Sequence, residues 1–182
     1  MIGEIPLRYA HASLKGSDFN QKEIEIINEV LKKRRSLLLI GKPGCGKTHM
    51  AACIYNNFDS DKVWLDASEY IFEMKRRMTL KTTDAAQILK DGWNMAMYSS
   101  LVVLDDLGAE EQTDAAGSIL TRILMERYNN KRWTIITTNL DGKALKARYG
   151  ERIISRIYED FIVVVMKSRD RRKEKFSEVV EI

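Results

Sequence analysis

The chain has 182 residues, enough for one domain with a full core, with 45% hydrophobic and 31% charged residues and a formal net charge of +4. That balance excludes a disordered chain, and no apolar run is long enough to suggest a membrane span. Met1 to Leu14 shows no secretory signal and the two cysteines read as reduced thiols, so a cytoplasmic protein with no membrane partner is expected.

In chain order, residues 1–20 read as a lead-in segment that packs near a nucleotide. An apolar run from Ser36 to Ile40 predicts a buried strand, and Gly41, Lys42, Pro43, Gly44, Cys45, Gly46, Lys47 and Thr48 follow it directly. A helical stretch, Thr48 to Phe58, comes next. Strand, glycine-rich loop and helix in that order are the context of a P-loop, which binds a nucleoside triphosphate. The glycines let backbone N–H groups turn inward around a β-phosphate. Lys47 reaches the β and γ oxygens, and the Thr48 hydroxyl completes the shell of a Mg²⁺ ion. The start of the helix near Gly46 adds its positive dipole end. A purely structural Gly-rich turn is the competing reading, and the flanking strand and helix weigh against it.

Further apolar runs predict strands at 62–66, 101–105, 133–138 and 161–166, with amphipathic helices at 68–78, 85–97, 115–129 and 143–158. Such alternation means an α/β fold, a five-stranded parallel sheet with helices on both faces. Ser68 and Asp114 are the N-cap candidates for two of these helices. With Pro6 and Pro43 the only prolines and no Gly/Ser-rich linker, one domain spans 1–182 and ends in a basic tail, 168–182.

The strand at 101–105 runs into Asp105 and Asp106, at the end where an α/β sheet presents its functional edge. Asp105 would hold the metal, and Asp106 would orient or deprotonate an attacking water. Asn139 ends the next strand and could hydrogen-bond a γ-phosphate or that water; alone it would read as a turn or cap residue. Basic residues cluster at 32–35, at 75–77 and at 167–175, where six of nine are Lys or Arg. Each cluster read singly is a solvated face; together with the ATPase parts they suit a nucleic-acid partner.

The chain resembles an AAA+ ATPase, and more narrowly the replicative helicase loaders of the DnaC type and the related IstB transposition helpers. The resemblance covers nearly the whole chain. It rests on the Gly41 to Ala51 segment, Leu104-Asp-Asp-Leu-Gly108, Arg127-Tyr-Asn-Asn, Thr134 to Asn139, and Gly150-Glu-Arg-Ile-Ile-Ser-Arg-Ile157. It implies ATP and Mg²⁺ as cofactors, with Gly41, Pro43, Gly44, Cys45, Gly46, Lys47, Thr48 and His49 around the nucleotide. It further implies Thr48 and Asp105 on the metal, Asp106 at the water-activating position, Asn139 as sensor 1, and an arginine finger in the last segment. Arg152 and Arg156 lie at i and i+4 on one helix face, Arg156 fitting the finger position best. Pairing with Glu151 or Glu159 is the alternative, and Arg148 is a third candidate. A finger supplied in trans implies self-association. Arg172 fits sensor 2, although sixteen residues after Met166 leave no room for a full helical lid, so the lid is expected to be minimal or absent.

Two departures stand out. Asp106 occupies a position where many AAA+ enzymes carry glutamate, which fits slow turnover. The chain also starts almost at the ATPase module, so by the resemblance the N-terminal domain with which cellular loaders grip the helicase is expected to be missing, as in a short phage- or plasmid-type loader, a truncated chain or a protein that docks differently. The stretch 68–82 resembles the loader-specific insertion, and its Lys75, Arg76, Arg77 and Lys81 could track a phosphate backbone, with Tyr70 and Phe72 near for stacking. Helical spacing makes Ile71, Met74 and Met78 a core stripe. The resulting reading is an ATP-dependent helicase loader that binds single-stranded DNA and a replicative helicase. The alternatives are a transposition helper on duplex DNA and a nucleotide-dependent switch with little hydrolysis. A small-molecule phosphotransferase would need a lid and an acceptor pocket.

Overall fold

A computed structural model describes residues 3–15, 17–80 and 82–167. Five strands form one parallel sheet: β1 (Leu37–Gly41), β2 (Lys62–Asp66), β3 (Leu101–Leu107), β4 (Trp133–Thr138) and β5 (Ile162–Met166). Their order is β2-β3-β4-β1-β5. The helices are α1 (Gln21–Lys33), α2 (Lys47–Asn56), α3 (Ala67–Thr79), α4 (Thr83–Tyr98), α5 (Asp114–Asn129), α6 (Gly142–Tyr149) and α7 (Glu151–Asp160). The five expected strands are all present, because their apolar runs are buried on both faces of a parallel sheet.

The period-2 alternation of each strand feeds two cores. Leu38, Ile40, Val102, Leu104 and Ile136 pack under α3, α5 and α7, while Leu37, Leu39, Leu101, Val103 and Ile135 pack under α1 and α2. The lead-in segment is held on the second side. Asn56 Nδ2, at the end of α2, donates to the carbonyls of Tyr9, Ala10 and Ala12 at 3.0, 3.2 and 2.9 Å. Gly3 adds one antiparallel bridge to Trp64 on the edge strand β2.

Four expectations need correction. The pattern above names no element between 21 and 35, yet α1 stands there. Its signal is a capping box in which Asn20 accepts from the Glu23 N–H and Glu23 returns a bond to the Asn20 N–H. The single helix expected at 143–158 is two, α6 and α7, split at Gly150, whose φ of 89° no helix accommodates. The caps of α3 and α5 are Asp66 and Thr113, not Ser68 and Asp114. In each case the residue with extended backbone just before the first turn has its side chain within reach of the N3 amide. Finally, Tyr70 is core: it is 1% exposed and its hydroxyl donates to the Gly92 carbonyl of α4. Ile71 and Met74 are buried as the stripe requires, whereas Met78 lies half open with Phe72 and Leu80.

Lys81, Arg172 and the tail 168–182 lie outside the described residues, and with them the sensor 2 and lid expectations. Among the described residues no helix is long and apolar enough to cross a membrane. Cys45 and Cys53 are both buried thiols outside any disulfide, and burial pushes the Cys53 thiol up to about 11.

Candidate nucleotide site

β4 lies between β1 and β3, so the loop after β1, the acids of β3 and the tip of β4 converge at one edge of the sheet. The loop at 43–46 turns through left-handed glycines, Gly44 at φ 82° and Gly46 at φ 102°. Gly46 is the N-cap of α2 and supplies no side-chain cap, which aims the helix's first turn outward at the loop. Gly41 must be glycine, because a Cβ there would sit 2.7 Å from both Cys45 Sγ and the Met166 carbonyl. Cys45 itself turns into the core at 1% exposure. His49 faces inward too, its ring 5.4 Å from Phe19 and 6.4 Å from Tyr9, so the lead-in segment reaches the P-loop helix.

The side chains form one connected network. Lys47 Nζ, 6% exposed as a residue, donates to the carbonyls of Gly41 and Lys42 and to Asn139 Oδ1 at 2.8, 3.1 and 2.8 Å. Asn139 Nδ2 in turn donates to Asp106 Oδ1 at 2.6 Å. Beside this chain, Asp105 Oδ1 accepts from Thr48 Oγ1 at 3.1 Å and from Thr137 Oγ1 at 2.6 Å. The structure therefore brings together Lys47, Thr48, Asp105, Asp106 and Asn139.

Thr137 is a residue that motif reading missed. The β3–β4 register runs Leu104 to Ile136 and then Leu107 to Thr138, so Asp105 and Asp106 together oppose Thr137. This is a β-bulge, and it re-aims the second acid toward the sheet's edge with Asp106 at φ 56°. The Thr137 hydroxyl holds it by donating to Asp105 while accepting the Asp106 N–H at 2.8 Å. Thr137→Val keeps the shape and loses both bonds. It should cost about 1–3 kcal/mol, a fall in Tm of roughly 3–10 °C, and lower any turnover, with Thr137→Ser restoring most of both. A melting curve superimposed on that of the unaltered protein would show that the bulge is held by other means.

Burial raises the pKa of Asp105 above the ordinary carboxylate value, opposed by the Thr137 and Thr48 hydroxyls and reinforced by Asp106 and Asp66. A buried carboxylate touching a threonine hydroxyl has the donor chemistry of a Mg²⁺ shell completed by phosphate and water. The residues present fit that ion. Among the described residues there is no cluster of three or more His, Cys, Asp or Glu side chains that could hold a metal ion.

The arginines sort themselves. Arg148 is spoken for: it is ion-paired with the buried carboxylate of Glu110 at 3.0 Å. The alternative partners of the other two are also taken, Glu151 by Lys146 and Glu159 by the Tyr128 hydroxyl. Among the described residues neither Arg152 nor Arg156 pairs with a carboxylate. Arg156 lies over the Tyr128 ring, 5.8 Å from its centroid, and donates to the Arg152 carbonyl. On α3, Arg76 and Arg77 share Glu73, and Lys75 reaches Glu111 in the loop after β3.

A parallel sheet of order β2-β3-β4-β1-β5, a P-loop after β1, paired acids on β3 and a polar tip on β4 define a P-loop NTPase fold of the AAA+ type. The chain belongs to the IstB-like ATP binding protein family, whose model matches residues 10–175. It is 28% identical over 125 residues to the replicative helicase loader DnaC of Escherichia coli strain K12, covering 67% of this chain and 49% of that one. It is 28% identical over 157 residues to the replicative helicase loader DnaI of Bacillus subtilis, covering 78% and 50%. The chain thus spans about half the length of the curated relatives it matches. A crystal structure of the DnaC helicase loader superposes with a TM-score of 0.74 at 28% identity, covering 89% of this chain and 100% of that one.

Proposed function

We propose that this chain is an ATP-dependent helicase-loader ATPase, assembling with ATP, contacting single-stranded DNA and acting on a replicative helicase. The observation that carries the reading is the split of the machinery. A bonded chain Lys47–Asn139–Asp106 beside Thr48–Asp105 forms one half, and Arg152 and Arg156, without a carboxylate partner among the described residues, stand on a separate helix as the other.

In this reading Lys47 and the first-turn amides of α2 neutralise the β- and γ-phosphates, trading the bonds Lys47 now makes to loop carbonyls for phosphate oxygens. Thr48 and Asp105 would hold Mg²⁺, which would supply charge neutralisation to the phosphates when bound. Asn139 and Asp106 orient the attacking water, and Asp106 accepts its proton. Arg156, with Arg152 one turn away, reaches the γ-phosphate of the next subunit, so turnover needs a subunit junction.

The decisive experiment is steady-state ATP hydrolysis against protein concentration, with and without single-stranded DNA. The rate per subunit should climb with concentration and DNA, and Arg156→Ala should lower it at least about tenfold while nucleotide affinity holds. A flat rate that survives the mutation sinks the shared-site reading.

For DNA, α3 offers a groove of about 430 Å³ lined by Ile71, Phe72, Lys75, Arg76 and Thr79, with Glu111 at its edge and Phe72 64% exposed. That supports an aromatic platform beside phosphate-binding cations. Reversing Arg76 and Arg77 to glutamate, beside Glu73, should reduce single-strand affinity at least about tenfold and leave ATP binding intact. Unchanged affinity removes α3 from the DNA path. The family match favours a second reading, a transposition helper, and preference for double over single strands would select it.

A further inference from the structure

Glu110 is a buried acid that the proposed chemistry leaves unused. It sits three residues past the β3 strand end, at 4% exposure, in the loop that leaves Asp106. Its carboxylate accepts from the Gly108 N–H at 2.9 Å within that loop, and from Arg148 Nε at 3.1 Å and the Tyr149 hydroxyl at the end of α6. Arg148 also donates to the Glu110 carbonyl. On the loop side, Gly108 at φ 100° lies so close to Leu140, the neighbour of Asn139, that a Cβ would sit 2.5 Å from its Cδ1. On the helix side, Tyr149 is followed by Gly150 and then by α7 with Arg152 and Arg156.

The clasp therefore joins two things that no sequence motif connects. One end lies in the loop that follows Asp106, whose carbonyl accepts from the Ala109 N–H, and packs through Gly108 against Leu140, the neighbour of Asn139. The other fixes the turn that aims the arginine helix. A carboxylate buried to this degree with an arginine and two further donors has one low-energy arrangement, because displacing any partner strands a charge away from water. A shift in the loop is thus carried to α6 rather than absorbed.

We propose that Glu110 is a positioning residue, transmitting the state of a subunit's own nucleotide site to the placement of Arg152 and Arg156 at its neighbour's. This rests on the reading above that these arginines act in trans.

The test uses Glu110→Gln and, as a milder variant that keeps the ion pair, Tyr149→Phe. For each, ATP affinity, turnover at saturating protein and Tm are measured, alone and mixed with equal Asp106→Asn subunits. The Asp106→Asn subunit cannot turn over its own ATP but keeps a well-placed α7. Glu110→Gln alone should lose at least about tenfold in turnover, with ATP affinity within about threefold, as expected for a contact realised only at the junction. Mixing should restore part of the activity, because the partner's arginines complete the variant's intact site. Tyr149→Phe should show a smaller loss with the same rescue, and it carries the test if Glu110→Gln does not fold.

Wild-type turnover in Glu110→Gln, or a loss that mixing fails to rescue while Arg156→Ala is rescued, overturns the proposal. Either result leaves the trans-arginine reading standing. If Arg156→Ala neither lowers turnover nor responds to mixing, that reading fails and this inference falls with it.

Discussion

Arg127→Met should destabilise the protein by about 3–5 kcal/mol and lower its Tm by roughly 10–15 °C. Arg127 is 1% exposed and has no carboxylate partner among the described residues. Its guanidinium donates instead to the carbonyls of Ala96, Met97 and Ser99 at 3.2, 3.3 and 2.9 Å, to the Trp133 carbonyl at 2.6 Å, and to Thr134 Oγ1 at 2.9 Å. Two of those carbonyls belong to the last turn of α4, where backbone acceptors lack helical partners and the dipole presents its negative end. A cation is therefore well placed without a formal counter-charge. Burial lowers its pKa to about 9, which still leaves it charged at neutral pH.

Removing this side chain leaves a helix end and the start of β4 with unmet acceptors in a dry interior, the more costly half of the hydrogen-bond balance. Arg127→Lys should recover less than half of the loss, since one ammonium cannot span both α4 and β4 as a planar fork does. Urea and thermal unfolding of the three proteins measure this. A change within about 1 kcal/mol for Arg127→Met would mean that water satisfies those carbonyls.

Asp105→Asn should move stability and activity in opposite directions. The folded pKa of Asp105 lies above its unfolded value because burial disfavours the carboxylate. Folding thus favours the protonated form. The stabilisation from Asp105 is complete below the unfolded value of about 3.9 and is lost as pH rises through the raised folded value. At neutral pH the nucleotide-free protein carries the carboxylate as a net burden. Asparagine removes the charge while its carbonyl can still accept from Thr48 and Thr137. The Tm without nucleotide should rise by roughly 2–6 °C, and its decline between acid and neutral pH should flatten.

Turnover in Mg²⁺ should fall roughly 10²–10³-fold, because the proposed metal position loses its anionic ligand. Added MgATP should also raise Tm less than it does in the unaltered protein. Loss of stability together with activity would place Asp105 among the structural residues instead.

Much of the architecture was legible along the chain because its signals are local. A run such as Leu101 to Leu104 reads as a buried strand from its own composition, and the glycines at 41, 44 and 46 report on backbone that must turn inward wherever the strand before them lies. The missed α1 was also local, an Asn20-x-x-Glu23 capping box ahead of Ile27 and Val30. The break at Gly150 shows the opposite failing, since periodicity runs straight through a residue that only conformational cost marks as an end.

The site divides in the same way. Lys47, Thr48, Asp105, Asp106 and Asn139 could be nominated from residue type and their positions at strand ends. Their bonds could not, because those depend on β4 inserting between β1 and β3 and on the bulge that sets two acids against Thr137. Arg148 and Arg156 are equivalent as letters, eight residues apart in a stretch that periodicity reads as one helix. Tertiary structure alone pairs the first with the buried Glu110 and leaves the second over Tyr128. The strands, the phosphate loop and the chemical types at the site follow from short-range periodicity and backbone conformation, which the order of residues carries locally. Register, burial and the pairing of charges were decided only when distant segments met, because desolvation and hydrogen-bond geometry are properties of the packed neighbourhood.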